Sequence, residues 1–261
     1  MVPKPSNAPD WSLPTPPLAL TLGDAAGVGV QITLDAWAEL RGSGPAFMLI
    51  APPEILDKLT RERASPVPIE QVASAAIARH TFPRALPVLP MAQRPARPVM
   101  PGVPDAANAH LAVESIRQAV ALTLAGETSG VVTNPIAKAV LAEAGFAHPG
   151  HTEFLAELVT PAGGQAPEPV MMLVGGGLRV ALATIHVPLM RVASLLTTEA
   201  LMRTARTVDA ALRRDFGLAH PRLVFTGLNP HAGEAGRIGS EEITLINPAA
   251  QALRADGVNI A

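Results

Sequence analysis

Leu18-Ala19-Leu20-Thr21-Leu22-Gly23-Asp24-Ala25-Ala26-Gly27-Val28-Gly29 sets the architecture of this chain: a short apolar run of β type breaks into a turn rich in glycine. Beyond it, the pattern predicts a helix from about residue 31 to residue 40, then a second apolar run, Phe47-Met48-Leu49-Ile50. Strand, turn, helix and strand in that order are the building unit of an α/β sheet. A glycine-rich turn entering a helix can cradle phosphate on its backbone N–H groups. The spacing is not Gly-x-Gly-x-x-Gly, and no Gly-Lys-Ser/Thr of a P-loop follows. A tight strand-to-helix turn is the competing reading, with Asp24 as a candidate cleft residue.

Upstream, residues 1–17 are rich in proline and lack the basic and apolar regions of a signal peptide, so a disordered leader is expected. Downstream, residues 60–105 show weak periodicity; short strands and irregular connections are expected there, and no site. Val113, Ile116, Val120 and Leu124 recur at helical spacing and predict a helix over 110–124, stopped by Gly126. Gly130-Val131-Val132-Thr133 predicts a buried strand. Asn134-Pro135 then reads as N-cap and first helical position of a helix that ends with Gly145 at C′. The next helix is expected near Thr152, with Glu153 in its first turn.

Two β-type runs, 170–174 and 178–184, are joined by Gly175-Gly176-Gly177 and read as a hairpin. A long helix over 194–216 and a strand over 223–228 should follow. Ser240 is expected to cap a last helix, with Glu241 and Glu242 in its first turn. Ile243, Ile246 and Leu253 would form its inner face, with Pro248 bending or restarting it.

At 261 residues the chain can form one large α/β domain or two smaller ones. Apolar residues make up 48% and aromatics only 3%, so the core must be built from Ala, Val, Leu and Ile. No apolar run approaches the roughly 20 residues that cross a bilayer. Cysteine is absent, so any metal must be held by His and carboxylates. A net charge of −2 gives no electrostatic footprint for nucleic acid. A cytoplasmic protein acting on a small molecule is expected, without nucleic-acid or membrane partners.

Three histidines stand in unusual company. His151 lies in Gly150-His151-Thr152-Glu153, where first-turn N–H groups, an imidazole and a hydroxyl would suit an anionic group; a local cap is the alternative. His186 lies in Thr184-Ile185-His186-Val187-Pro188, at the expected end of a strand that proline cannot continue. Taken alone it reads as a structural histidine. His231 lies at the next expected strand end, in Gly227-Leu228-Asn229-Pro230-His231-Ala232-Gly233-Glu234. Neutral imidazoles bind divalent metals well, and the pair favours a ligand role. Asn229, Glu234 and Lys138 are further candidate cleft residues, Lys138 against the alternative of a solvated helix lysine. His80, His110, His148 and His220 read as ordinary, with His148 exposed.

These segments resemble the 4-hydroxythreonine-4-phosphate dehydrogenase family, oxidoreductases of pyridoxal 5′-phosphate biosynthesis. The resemblance is carried by Leu-Gly-Asp-Ala-Ala-Gly-Val-Gly (22–29), Val-Thr-Asn-Pro-Ile-Ala-Lys (132–138) and Pro-Gly-His-Thr-Glu-Phe (149–154). Val-Ala-Leu-Ala-Thr-Ile-His-Val-Pro-Leu (180–189) and Gly-Leu-Asn-Pro-His-Ala-Gly-Glu (227–234) complete it. It implies a two-domain α/β fold of the isocitrate/isopropylmalate dehydrogenase type with central mixed sheets, its active site in the cleft between domains. The first domain would span 18–129 and the second, carrying the metal-site histidines, 130–261. The resemblance further implies a homodimer that shares metal ligands between subunits. His186 and His231 would bind one divalent cation (Zn, Mg or Co), while His151 and Thr152 would contact the phosphorylated substrate. NAD or NADP would oxidise 4-phosphooxy-L-threonine, which then loses CO2 to give 3-amino-2-oxopropyl phosphate.

The chain departs from the family pattern in places. Ala25 stands where the family carries Pro, and Val30-Gln31 where it carries Pro-Glu or Pro-Asp. The family continues past Val258-Asn259-Ile260-Ala261 into a Tyr-His-Asp-Gln-Gly segment with a third metal histidine, then substrate-binding Lys, Asn and Arg. A C-terminally truncated member, weakly active or inactive by itself, is therefore expected. Three other readings compete: a sister enzyme acting on threonate or erythronate 4-phosphate, an inactive remnant, and a metal-dependent hydrolase. No His-Glu-x-x-His motif supports the last.

Overall fold

The computed structural model describes residues 15–56, 66–148 and 150–261. Of the leader expected over residues 1–17, all but the last three residues lie outside the described part. Described chain begins as β1 (Leu18–Thr21), α1 (Gly29–Leu40) and β2 (Phe47–Ala51), the unit read from the sequence. Next come β3 (Ile69–Gln71), α2 (Ala75–Thr81), β4 (Leu86–Pro90), α3 (Ala109–Leu124) and β5 (Val131–Val132). The sheet order is β3-β4-β2-β1-β5, and every pairing is parallel. The fold is α/β with a parallel central sheet in this part of the chain.

All five residues of β2 are buried, as a strand covered on both faces requires. Its side chains alternate between layers. Phe47, Leu49 and Ala51 join Leu34 and Trp37 of α1, while Ile50 packs on the other face with Ala119 of α3. Trp37 is buried and donates its indole N–H to the Phe82 carbonyl at 2.9 Å.

Helix α2 falls in a region expected to be irregular. Its inward positions are Ala75, Ala78 and Thr81, small residues that leave little hydrophobic periodicity to detect. Its start is marked by Ser74, whose hydroxyl accepts from Ile77 N–H.

The strand expected over 130–133 is only two residues long, and Val132 is 42% exposed rather than buried. Among the described residues it is the outermost strand on its side, paired only with β1. The chain leaves the ladder because Asn134 turns inward, and Asn134 is not a helix cap. The helix it was expected to open, α4 (Lys138–Glu143), starts four residues later without a side-chain cap. Its C-terminus matches the expectation: Gly145 has φ +83°, and Phe146 N–H donates back to the Leu141 carbonyl at 2.9 Å. Helix α5 (His151–Leu158) carries Glu153 in its first turn.

Two compact units are present, one ending at Glu168 and one beginning at Pro169. Strand β5 and helices α4 and α5 lie with the first unit, although the sequence boundary at 129/130 assigns them to the second. The reason is the pairing of β5 with β1 and the packing of Phe154 from α5 on Ile116 and Val120 of α3.

In the second unit, β6 (Met172–Gly175) and β7 (Leu178–Ala181) form the expected antiparallel hairpin. Gly176 and Gly177, at φ +56° and +83°, supply its tight turn. The single long helix expected over 194–216 is two helices, α6 (Leu189–Leu195) and α7 (Thr198–Arg214). Leu196 is extended, and Thr197 caps α7 by accepting from Ala200 N–H. Helix α7 buries Ala205 against Ala250 and Leu253 of α8 (Asn247–Ala255).

The strand expected over 223–228 reduces to one parallel bridge between Leu223 and Ile260. Phe225 N–H still reaches the Ala261 carbonyl, and beyond it Gly227 and the Asn229-Pro230 turn carry the backbone away. Before α8 the chain makes a π-helical turn, Glu242–Ile246. The wider turn shifts the helical register, so Ile243 is 53% exposed instead of facing inward. Glu241 is already helical, and the Ser240 carbonyl accepts the first helical bond, from Thr244 N–H at 2.8 Å, as expected of the cap. Pro248 restarts the helix in the first turn of α8, where its missing N–H costs nothing.

Candidate functional site

In the first unit, the candidates sit at the carboxyl ends of β1 and β5, the end of an open α/β sheet where ligands bind. The glycine-rich turn after β1 is packed against the turn after β5. Asp24 N–H donates to the Pro135 carbonyl at 2.9 Å, and Asp24 Oδ1 accepts from Ala26 N–H at 3.0 Å. A Cβ at Gly23 would lie 2.5 Å from the Pro135 carbonyl oxygen, and one at Gly29 would lie 2.8 Å from that of Leu22. Both glycines are therefore explained by close approach, and the tight-turn reading accounts for them. Asn134 fills the space between the strands: its Nδ2 donates to Thr21 O and to Thr33 Oγ1, both at 2.9 Å.

Lys138 opens α4, and His151 opens α5. The Lys138 ammonium lies 3.4 Å from the point a Cβ on Gly150 would take, and Glu153 Oε2 lies 3.6 Å from it. His151 Nε2 is buried without a hydrogen-bond partner among the described residues. Burial first, and the Lys138 charge second, hold the His151 imidazole below its ordinary pKa of 6.5. Both effects favour the neutral ring. Lys138 and Glu153 lie beside Gly150 at the start of the His151 helix. His148 is not exposed as expected: it packs between Phe146 and Phe154, ring centroids 5.1 Å from each, and pairs with Glu157 at 3.2 Å.

A groove of about 610 Å³ lies at the same end of this sheet, lined by Glu54, Ile55, Arg94, Arg97 and Met100 among others. None of the candidate residues lines it.

In the second unit, His186 does not close a strand. Strand β7 ends at Ala181, and His186 has φ +55°, a left-handed conformation that no ladder accepts. Its ring is exposed. His231 likewise follows a loop rather than a strand. Asn229 Oδ1 accepts from His231 N–H at 2.9 Å, and Ala232 N–H donates to the Asn229 carbonyl at 3.0 Å, which makes the loop a fixed turn. Residues 232–236 then all have positive φ, including Ala232, Glu234 and Ala235. Each non-glycine residue there costs roughly 1–2 kcal/mol, which the turn must recover from its contacts.

That turn brings Glu234 back onto His231, with Oε1 3.1 Å from Nδ1. A carboxylate only accepts, so at this distance it favours the tautomer with the proton on Nδ1 and the lone pair on Nε2. This is the carboxylate–imidazole pairing that orients metal-binding histidines. His231 thus fits a divalent cation by donor chemistry. Among the described residues no group of three or more His, Asp or Glu side chains forms a metal cage.

One residue at this loop escaped the sequence reading. Glu242 was read only as a first-turn acid, yet its Oε1 accepts from Leu228 N–H at 2.9 Å. Only a contact fourteen positions away gives it a role, and nothing local in the sequence signals it.

The sequence of residues 45–261 matches the family model described as pyridoxal phosphate biosynthetic protein PdxA. The 4-hydroxythreonine-4-phosphate dehydrogenase of Methylorubrum extorquens is 52% identical over 246 residues, 94% of this chain and 70% of that protein. The chain belongs to the PdxA family. Its fold agrees with this: the 4-hydroxythreonine-4-phosphate dehydrogenase crystal structure from Klebsiella pneumoniae is similar at a TM-score of 0.85 and 32% identity, over 95% of this chain and 74% of that one. A terephthalate 1,2-cis-dihydrodiol dehydrogenase from Burkholderia xenovorans is similar at a TM-score of 0.64 and 28% identity, over 94% and 72% of the two chains. This PdxA-family chain has, among its described residues, no helix long and apolar enough to cross a membrane.

Proposed function

We propose that this chain carries the substrate and metal residues of an NAD-dependent, divalent-cation-dependent 4-hydroxythreonine-4-phosphate dehydrogenase. The two-domain isocitrate/isopropylmalate dehydrogenase type of fold is part of the same reading. NAD, or NADP, would accept the hydride, and a cation at His186 and His231 would supply Lewis acidity at the substrate oxygens. The chain's own contribution is orientation. Glu234 holds the His231 ring in one tautomer, and His151, Thr152 and the first N–H groups of α5 donate to the substrate phosphate. Oxidation at the carbon bearing the hydroxyl gives a β-keto acid, which loses CO2. The proton released in the first step equals the one taken up by carbon in the second.

The observation that carries this reading is the His231–Glu234 contact at 3.1 Å, in a chain 52% identical to a named dehydrogenase. A homodimer is part of the proposal, supported by one apolar face of the hairpin, where Leu173, Leu178 and Val180 are exposed. The test is NADH formation from 4-phosphooxy-L-threonine with added Zn, Mg or Co. No turnover by the chain, with turnover by a longer relative assayed alongside, would sink it and favour an inactive remnant.

A second reading is oxidation of threonate or erythronate 4-phosphate. The likeness to a dehydrogenase named for a cis-dihydrodiol favours considering it, since related folds serve different diol substrates. Phosphate-handling and metal-binding residues do not distinguish the two, so parallel assays on both substrates decide it.

A further inference from the structure

We propose that Glu242 is the positioning residue of the His231 loop: its carboxylate straps the loop closed and supplies a negative charge that cation binding at the loop relieves. The proposal rests on the metal reading above and extends it to a residue outside the loop motif.

The strap is geometric. Glu242 Oε1 accepts from Leu228 N–H at 2.9 Å, at the start of the loop. Its Oε2 lies 2.8 Å from the point a Cβ on Gly233 would occupy, at the loop's far end. One carboxylate therefore touches both ends of the segment that presents His231. Asn229 fixes the turn within the loop, while the side chains of His231 and Glu234 are 66% and 45% exposed, so Glu242 is the tie from outside it. Gly233 has φ +70°, and a Cβ there would also meet the Gly239 carbonyl at 2.5 Å, so the chain closes around the carboxylate only because glycine stands there. Glu242 begins the π-helical turn, which is the local distortion that aims it at the loop.

The charge argument comes from what Oε2 lacks. It is buried and has no hydrogen-bond partner among the described residues. An acceptor left unsatisfied is costly, and more so on a charged group. A cation held at the loop would lower that cost through space, so the free energy of binding gains from a carboxylate already in place. Glutamine would keep the strap, because its carbonyl can still accept from Leu228 N–H, but would remove the charge.

The experiment compares the unsubstituted 261-residue chain with Glu242→Gln and Glu242→Ala. Amide hydrogen exchange at Leu228 reads the strap, and cobalt(II) titration followed by its visible absorption reads the cation site. Glu242→Ala should speed Leu228 exchange by about fivefold to tenfold and weaken cobalt binding by roughly 10–100-fold. Glu242→Gln should restore the slow exchange while leaving cobalt affinity reduced. Unchanged exchange in Glu242→Ala overturns the strap. Cobalt affinity in Glu242→Gln equal to that of the unsubstituted chain overturns the charge role. If the unsubstituted chain binds no cobalt, the metal reading and the charge role fall together, and the exchange arm still decides the strap.

Discussion

Asn134 Nδ2 donates to Thr33 Oγ1 at 2.9 Å, tying the loop after β5 to the interior of α1. The same amide donates to the Thr21 carbonyl, and Asn134 N–H reaches Thr21 Oγ1 at 3.1 Å. The crevice between β1 and β5 is thereby closed by a satisfied polar cluster, which fixes the glycine-rich turn in its place beside Pro135.

Asn134→Ala should therefore destabilise the first unit by about 1–3 kcal/mol, because the buried Thr21 carbonyl loses this donor while the Thr33 hydroxyl keeps only its bond to the Gly29 carbonyl. Asn134→Asp should be no better, since a carboxylate cannot donate to either. Urea unfolding gives the answer: an unchanged midpoint for both variants would show that the cluster is not structural.

Gly23 and Gly145 both have positive φ but differ in surroundings. A Cβ at Gly23 would overlap the Pro135 carbonyl, while one at Gly145 meets nothing within 4 Å. Gly145→Ala should cost about 1 kcal/mol, the backbone term alone. Gly23→Ala should cost more than about 2 kcal/mol, since overpacking adds to it. Equal losses in melting temperature would contradict this account.

His151 gives a pH dependence with a defined sign. Its folded pKa lies below the unfolded value of 6.5, so the unfolded chain binds the proton more readily. The stability it contributes is full above pH 6.5 and is lost as pH falls through the lower folded value. His151→Asn should flatten the fall in stability below pH 6.5. Lys138→Met should raise the folded pKa only part of the way, because burial is the larger cause. An NMR titration of the ring protons would refute this if the His151 midpoint stood at or above 6.5.

Glu234→Ala should leave the fold intact and weaken zinc binding by roughly 10–100-fold, the usual loss when a histidine ligand loses its carboxylate partner. Glu234→Gln should be milder, since its carbonyl can accept from Nδ1–H. Calorimetric titration with zinc separates the two; affinity unmoved in Glu234→Ala would mean that the pairing does not orient a ligand.

Much of this was legible in the chain. Apolar runs at 18–22 and 47–50 gave β1 and β2, and Gly145 and the three glycines at 175–177 gave a helix stop and a hairpin, because these signals are local. Helix α2 was missed because alanines at its inner positions carry little periodic signal. The strand expected over 223–228 was overestimated because Leu223 and Phe225 do face a core and find backbone partners, while Val224 between them is exposed.

The sequence alone determined the family and the candidate residues, since side-chain chemistry and order along the chain suffice for both. Tertiary structure decided their surroundings. Asn134 became a buried strut instead of a cap, His186 took a left-handed bend instead of a strand end, and Glu242 came against a loop fourteen positions away. Each outcome depends on which distant backbone group lies within hydrogen-bond reach, a quantity set by packing and absent from any local pattern.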